Sequence, residues 1–247
     1  MKTKISLRRF AFILTGMLLV MTYSCKKDNS SGSTGGTSTA IFNPNSSYGT
    51  MTDQEGNTYK TIQIGTQVWL AENLRVTKYR NGDLIGTTSP STLPLTGAGN
   101  PSYQWAGMND ENQVATYGRL YTWQAVTDTR NIAPTGWHVA SSAEWTTLRD
   151  YLGGDSIAGG KLKETGMTHW LGNNYGATNE SGFTALPSGL RDAGGLFYTD
   201  GKYANWWTST EKPPSNAWYS YVGGVSTTLV LLDSPKSEGY AVRCVKD

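Results

Sequence analysis

The sequence predicts an α+β domain of short strands and long loops with one or two short helices. Three observations carry that expectation. Strand-like runs are cut by glycine-bearing turn signals, as in "DQEGNTYKTIQIGTQVWLAENL" from Asp53 to Leu74. One segment, "SSAEWTTLRDYLGG" from Ser141 to Gly154, has a helix's start, face and stop. From Gly159 onward the chain is rich in glycine and aromatics, which suits irregular loops pinned by large side chains.

The N-terminus points to export. "MKTKISLRRF" carries Lys2, Lys4, Arg8 and Arg9 and no acid, and "FAFILTGMLLVM" follows. An apolar run of about twelve residues is too short to cross a hydrocarbon layer of ~30 Å. A basic segment, a short apolar segment and small residues before a cut make a secretory signal. The cut falls before Cys25 in "MTYSC", which resembles a bacterial lipoprotein signal with Cys25 as the acylated residue. Residues 1–24 are then the signal peptide. The residue after Cys25 is Lys26, not the Asp associated with inner-membrane retention, so a lipid-anchored place in the outer membrane is expected. The precursor's net charge of +2 becomes −2 without the signal, with 17 basic and 19 acidic residues left. So balanced a chain gives no support for a nucleic-acid partner.

Residues 25–45, with "KKDNSSGSTGGTSTA", are Ser-, Gly- and Thr-rich and read as a flexible tether. Residues 46–247 are long enough for one domain. Within it, Asp53 to Asn57 reads as a turn, and Gly65-Thr66 separates the strands "YKTIQI" and "QVWL". "YGRLYTWQAVTD" places Leu120, Tyr121, Trp123, Ala125 and Val126 as the apolar side of a short helix. Ser141 caps the clearest helix, and Glu144 completes a capping box. Trp145, Leu148, Tyr151 and Leu152 form its apolar face, and Gly153-Gly154 end it.

"NWWTSTEKPPSNAWYSY", Asn205 to Tyr221, reads as two strands joined by the loop "EKPPSN". Alternation puts Trp206 with Thr208 and Thr210, and Trp207 with Ser209 on the other face. Trp207 is assigned to the core, and Trp206 is the candidate for partial exposure. Asn205, Trp206, Glu211 and Asn216 are therefore the candidate ligand-binding residues, since an exposed indole can stack on a sugar ring. Cys244, in the alternating stretch "YAVRCVKD", is expected to be a small buried hydrophobe.

Six stretches occur together: "DQEGNTYKTIQIGTQVWLAENL", "YGRLYTWQAV", "APTGWHVASSAEWTTL", "GFTALPSGLRDAGGLF", "WWTSTE…NAWY" and "GYAVRCVKD". As a set they resemble the Fibrobacter succinogenes major paralogous domain of bacterial lipoproteins, over about residues 50–247. Ala140 stands where that family has Pro, which leaves the capping logic intact. The resemblance implies a C-type-lectin-like fold in the variant seen in formylglycine-generating enzymes. It implies no particular activity.

The chemistry of such enzymes finds few residues here. A copper site of paired thiolates would need more than Cys244, and His138 and His169 lie in different motifs and read as hydrogen bonders. The serines lack a nucleophile-elbow pattern, and no Walker loop is present. The leading expectation is thus a non-catalytic envelope protein binding an extracellular glycan or protein. An enzyme on the formylglycine-generating scaffold and a structural part of a surface assembly are the alternatives. No cofactor is expected, although calcium could find oxygens at Asp192, Asp200, Asn205 and Glu211.

Overall fold

The computed structural model describes residues 37–95 and 101–247. These all fall within the unit Ser33–Asp247. The expected signal peptide and Cys25 lie outside the described residues. No helix among the described residues is long and apolar enough to cross a membrane.

The fold begins with a meander. β1 (Gly49–Thr52), β2 (Thr58–Ile64) and β3 (Gln67–Leu70) pair antiparallel in sequence. The expected turn at Asp53 closes the first hairpin: its carboxylate accepts from the backbone N–H of Glu55 and Asn57 and from the Tyr59 hydroxyl. Gly65 turns the second at φ +62°, a conformation that glycine adopts without strain. After β4 (Gln104–Ala106) come α1 (Val114–Tyr117), β5 (Arg119–Tyr121) and α2 (Trp123–Val126). The short helix expected over Tyr117–Asp128 is therefore divided. Arg119–Tyr121 is drawn into a ribbon with β4, and a single helical turn remains.

β6 (Trp137–Val139) leads into α3 (Ser142–Tyr151), where both halves of the expected capping box form. Trp145, Leu148 and Leu152 are buried. Tyr151 departs from the expected face. It is 65% exposed, its ring lying over the Gly65 turn. α4 (Asp155–Leu162) follows, although its sequence "DSIAGGKL" carries two glycines. Tertiary packing explains them: a Cβ on Gly159 would stand 2.2 Å from the Thr228 carbonyl oxygen, and one on Gly160 2.5 Å from that of Gly176.

β7 (Leu190–Arg191) and β8 (Phe197–Tyr198) form a small ribbon. The long hairpin of β9 (Tyr203–Lys212) and β10 (Asn216–Gly223) forms as expected, and β11 (Val230–Pro235) adds to β10. β12 (Cys244–Lys246) closes the first sheet, giving the order β1-β2-β3-β12-β6 beside the separate sheet β11-β10-β9. The described fold is thus mixed α and β, mostly antiparallel, with a few short helices.

Two apolar cores hold it together. One contains Trp69, Trp145, Trp170, Phe183 and Trp206, and the other Tyr59, Tyr121, Trp207, Tyr240 and Cys244. Arg243 is buried near the first. Its guanidinium donates to Asn73 Oδ1 at 2.7 Å and to the carbonyls of Leu70, Phe183 and Thr184. Burial pulls its pKa down to about 9.

Contacts with the domain begin upstream of the expected start at Ser46. Thr39 Oγ1 lies 2.9 Å from His169 Nε2, and the Ile41 N–H donates to Glu164 Oε1 at 2.5 Å. Asn43 Nδ2 donates to the Asn179 carbonyl. Residues 39–43 carry only the short apolar run Ala40–Phe42, which follows directly on the Ser-, Gly- and Thr-rich stretch. They are ordered by partners more than a hundred residues away.

Candidate functional site

The four residues expected to bind ligand do not form one site. Trp206 is fully buried, so its expected partial exposure is corrected. Alternation does separate it from Trp207, but each face of β9 is covered at this point. Trp206 stacks on Trp145 with centroids 5.3 Å apart, and its Nε1–H donates to Asn73 Oδ1. Trp207 packs on Tyr240 at 4.5 Å and donates to the Tyr121 carbonyl, in the core as expected. Asn205 is also buried, 2% exposed, with no partner for its Nδ2 among the described residues.

Glu211 and Asn216 stand at the hairpin mouth, about 20 Å from Asn205 at ~3.3 Å per strand residue. Glu211 Oε1 pairs with Lys236 Nζ at 2.5 Å. Asn216 Nδ2 donates to Asp233 Oδ2 at 2.7 Å, and Lys212 pairs with the same aspartate. Trp218 lies half-buried beneath the Lys212 ammonium. Of the calcium candidates, Asp192 bonds the Tyr198 hydroxyl and Asp200 pairs with Lys202. No group of three or more His, Cys, Asp or Glu suited to a metal is found among the described residues.

Both histidines bond to carboxylates. His169 Nδ1 meets the buried Glu164 Oε2 at 2.6 Å, and the Tyr117 ring packs on its imidazole. Tyr117 also lines an open recess of about 250 Å³ with Met108, Asp110 and Gln113. His138 bridges Glu144 at 2.6 Å and Asp247 at 2.7 Å. Burial acts against its charge, but the two hydrogen bonds and the nearby carboxylates raise its pKa.

The surface best suited to a ligand is the other face of the three-stranded sheet. Residues paired across an antiparallel ladder share a face. Tyr221 pairs with Asn205 and Val230, Tyr219 with Trp207 and Leu232, and Gly223 with Tyr203. One end of this face is therefore core, through Trp207, Tyr219 and Tyr240. The other end opens to solvent: Tyr203 is 37% exposed, and Tyr221 and Val230 are half-buried. The Tyr203 and Tyr221 rings lie 5.9 Å apart and 34° from parallel.

Carboxylates lie near the Tyr219–Tyr240 end of this face. Glu238 Oε2 accepts from the Tyr240 hydroxyl at 2.9 Å. Burial raises the Glu238 pKa, and Asp192 adds repulsion. Burial and the Glu238 charge likewise raise the Tyr219 hydroxyl. Tyr198, 48% exposed, donates to Asp192 Oδ2 at 3.2 Å.

Sequence reading missed Tyr203, Tyr221 and Glu238. Extending the alternation of "NWWTST" two residues upstream puts Tyr203 in line with Trp207, and "WYSY" puts Tyr221 in line with Tyr219. The signal was present, but the choice of face depended on what covers the sheet.

The family described as the Fibrobacter succinogenes major domain matches residues 62–246. No curated protein matches the chain, and no solved structure does.

Proposed function

The chain belongs to the Fibrobacter succinogenes major domain family, and we propose that it is a lipid-anchored envelope protein that binds an extracellular glycan on its tyrosine face. The observation that carries this reading is the side-by-side, half-open placement of Tyr203 and Tyr221. Aromatic rings at a partly wet surface offer an apolar plane to a sugar, while neighbouring carboxylates accept from its hydroxyls. Glu238 and Asp192 supply those acceptors. Strands rather than a loop support the rings, so the platform is preorganised.

The proposed fold is C-type-lectin-like. Two features support it: α3 directly follows the Trp137 strand, and the closing segments meet where Trp206 bridges Ala241. The proposed anchor is acylated Cys25, which holds the domain at the outer membrane. Fatty-acid labelling of the wild type and Cys25→Ser tests the anchor, with label expected in the wild type alone.

A glycan array read with the wild type and Tyr221→Ala tests the binding. Wild-type signals that disappear in the variant, with thermal unfolding still cooperative, are the expected result. Binding that survives both Tyr221→Ala and Tyr203→Ala would remove the platform from the account.

A further inference from the structure

Asp192 and Glu238 enter no ion pair among the described residues, while the side-chain cations around them are engaged elsewhere. Lys202 pairs with Asp200, Lys212 with Asp233 and Lys236 with Glu211. Arg191 lies behind Asp192, fully buried on the Trp105 ring, with its guanidinium donating to the carbonyls of Ser91, Leu93 and Asp192. The two carboxylates instead accept from tyrosine hydroxyls, of Tyr198 and Tyr240. Tyr219 packs on Tyr240 at 4.7 Å, so aromatic faces and unpaired negative charge occur together. That combination favours a cation over an anion, through both Coulomb attraction and the ring quadrupole.

A second observation points to a ligand that also carries oxygen acceptors. Among the described residues the Asn205 Nδ2 is buried without a partner, and Asn205 shares the sheet face directly opposite Tyr221. A buried donor left unmade is costly, so an acceptor brought to Asn205 beside Tyr221 would be favoured there.

Building on the glycan reading above, we propose that this face selects saccharides bearing free amino groups. Asp192 and Glu238 receive the ammonium, the Tyr203 and Tyr221 rings stack on the sugar, and Asn205 donates to one of its oxygens. A lysine side chain would satisfy the carboxylates, but it offers no ring plane to the paired tyrosines. A uronate would meet like charge, and an N-acetylated sugar has lost the cation.

The test uses the full-length chain in detergent micelles with four probes, read by calorimetry. They are a glucosamine pentamer, the N-acetylated pentamer, a galacturonate pentamer and a lysine pentapeptide. The glucosamine oligomer should bind about tenfold or more tighter than its N-acetylated counterpart, and the uronate should not bind. Raising salt should narrow the gap. In Asp192→Asn/Glu238→Gln, which keeps shape and hydrogen bonding, the two glucosamine oligomers should bind within about threefold of each other. Equal binding by the wild type, or a preference unchanged in the double variant, would overturn the inference and leave the glycan reading standing. Binding of the lysine peptide with none of the saccharides would overturn both.

Discussion

Trp206 and Trp207 are neighbours in the chain and belong to different cores. Trp206 lies against Trp145 and Phe183, and Trp207 against Tyr219 and Tyr240. β9 is thus a wall between two apolar bodies, and both of its faces are dry over these residues. The indole nitrogens extend the arrangement, one to Asn73 and the other to Tyr121.

Both substitutions to alanine should therefore be severe. Trp206→Ala and Trp207→Ala each leave a large cavity, and each should cost ~3–5 kcal/mol. Trp206→Ala also takes one of the two donors from Asn73 Oδ1, leaving Arg243 as its remaining partner. Denaturant melts check this. A loss below about 1 kcal/mol for Trp206→Ala would mean that its face is not core.

What could be read from the sequence was what is local. The capping box of Ser141 and Glu144, the Asp53 turn and the Gly65 hairpin are specified within a few residues, and all form. Alternation across Trp206 and Trp207 was equally legible. What it could not supply was the second core, since residues such as Trp145 and Phe183 come from distant segments. α4 was hidden for the same reason: Gly159 and Gly160 weaken a helix locally, yet only glycine admits the backbone of Thr228 and Gly176. The tyrosine face needed the pairing of β9, β10 and β11 before Tyr203, Tyr221 and Val230 could be seen to share a face.

Cys244 is fully buried in β12, and burial pushes its thiol pKa up. A protonated, enclosed thiol is a poor nucleophile. Ellman's reagent should react slowly with the native protein and rapidly once it is denatured. Cys244→Ala should cost about 1–2 kcal/mol of stability. Fast native labelling would contradict the burial.

His138 predicts a pH dependence. Its folded pKa is raised above 6.5, so its stabilising contribution is complete below that value and is lost as pH rises through the folded pKa. Glu144 is shifted the other way. Burial opposes its charge, but bonds from Ser141 and His138 prevail and lower its pKa below 4.5. Its contribution is present above 4.5 and lost as pH falls through the folded value. The pair therefore contributes most between about pH 4.5 and 6.5. His138 is 40% exposed, so solvent screening holds the effect under about 1 kcal/mol. Melting temperature against pH should fall less above pH 6.5 in His138→Gln than in the wild type, and an identical slope would exclude this pair as its source.

The segment before Ser46 should matter to stability more than a linker would. Glu164 is completely buried, and its two carboxyl oxygens are used by the Ile41 N–H and by His169 Nδ1. His169 in turn uses Nε2 on Thr39. Deleting residues up to 45 removes Thr39 and Ile41 together and leaves a buried carboxylate short of one donor. Orphaning a buried charged acceptor costs at least about 2 kcal/mol, well above the few tenths expected for trimming a free tether. The measurement compares urea midpoints for chains beginning at residues 37 and 46. Glu164→Gln in the longer chain separates the causes, because a neutral amide still accepts from Ile41 but forms a weaker bond with His169. A shorter chain as stable as the longer one would show that Ile41 contributes nothing to holding Glu164. A large loss would place the physical start of the domain near Thr39.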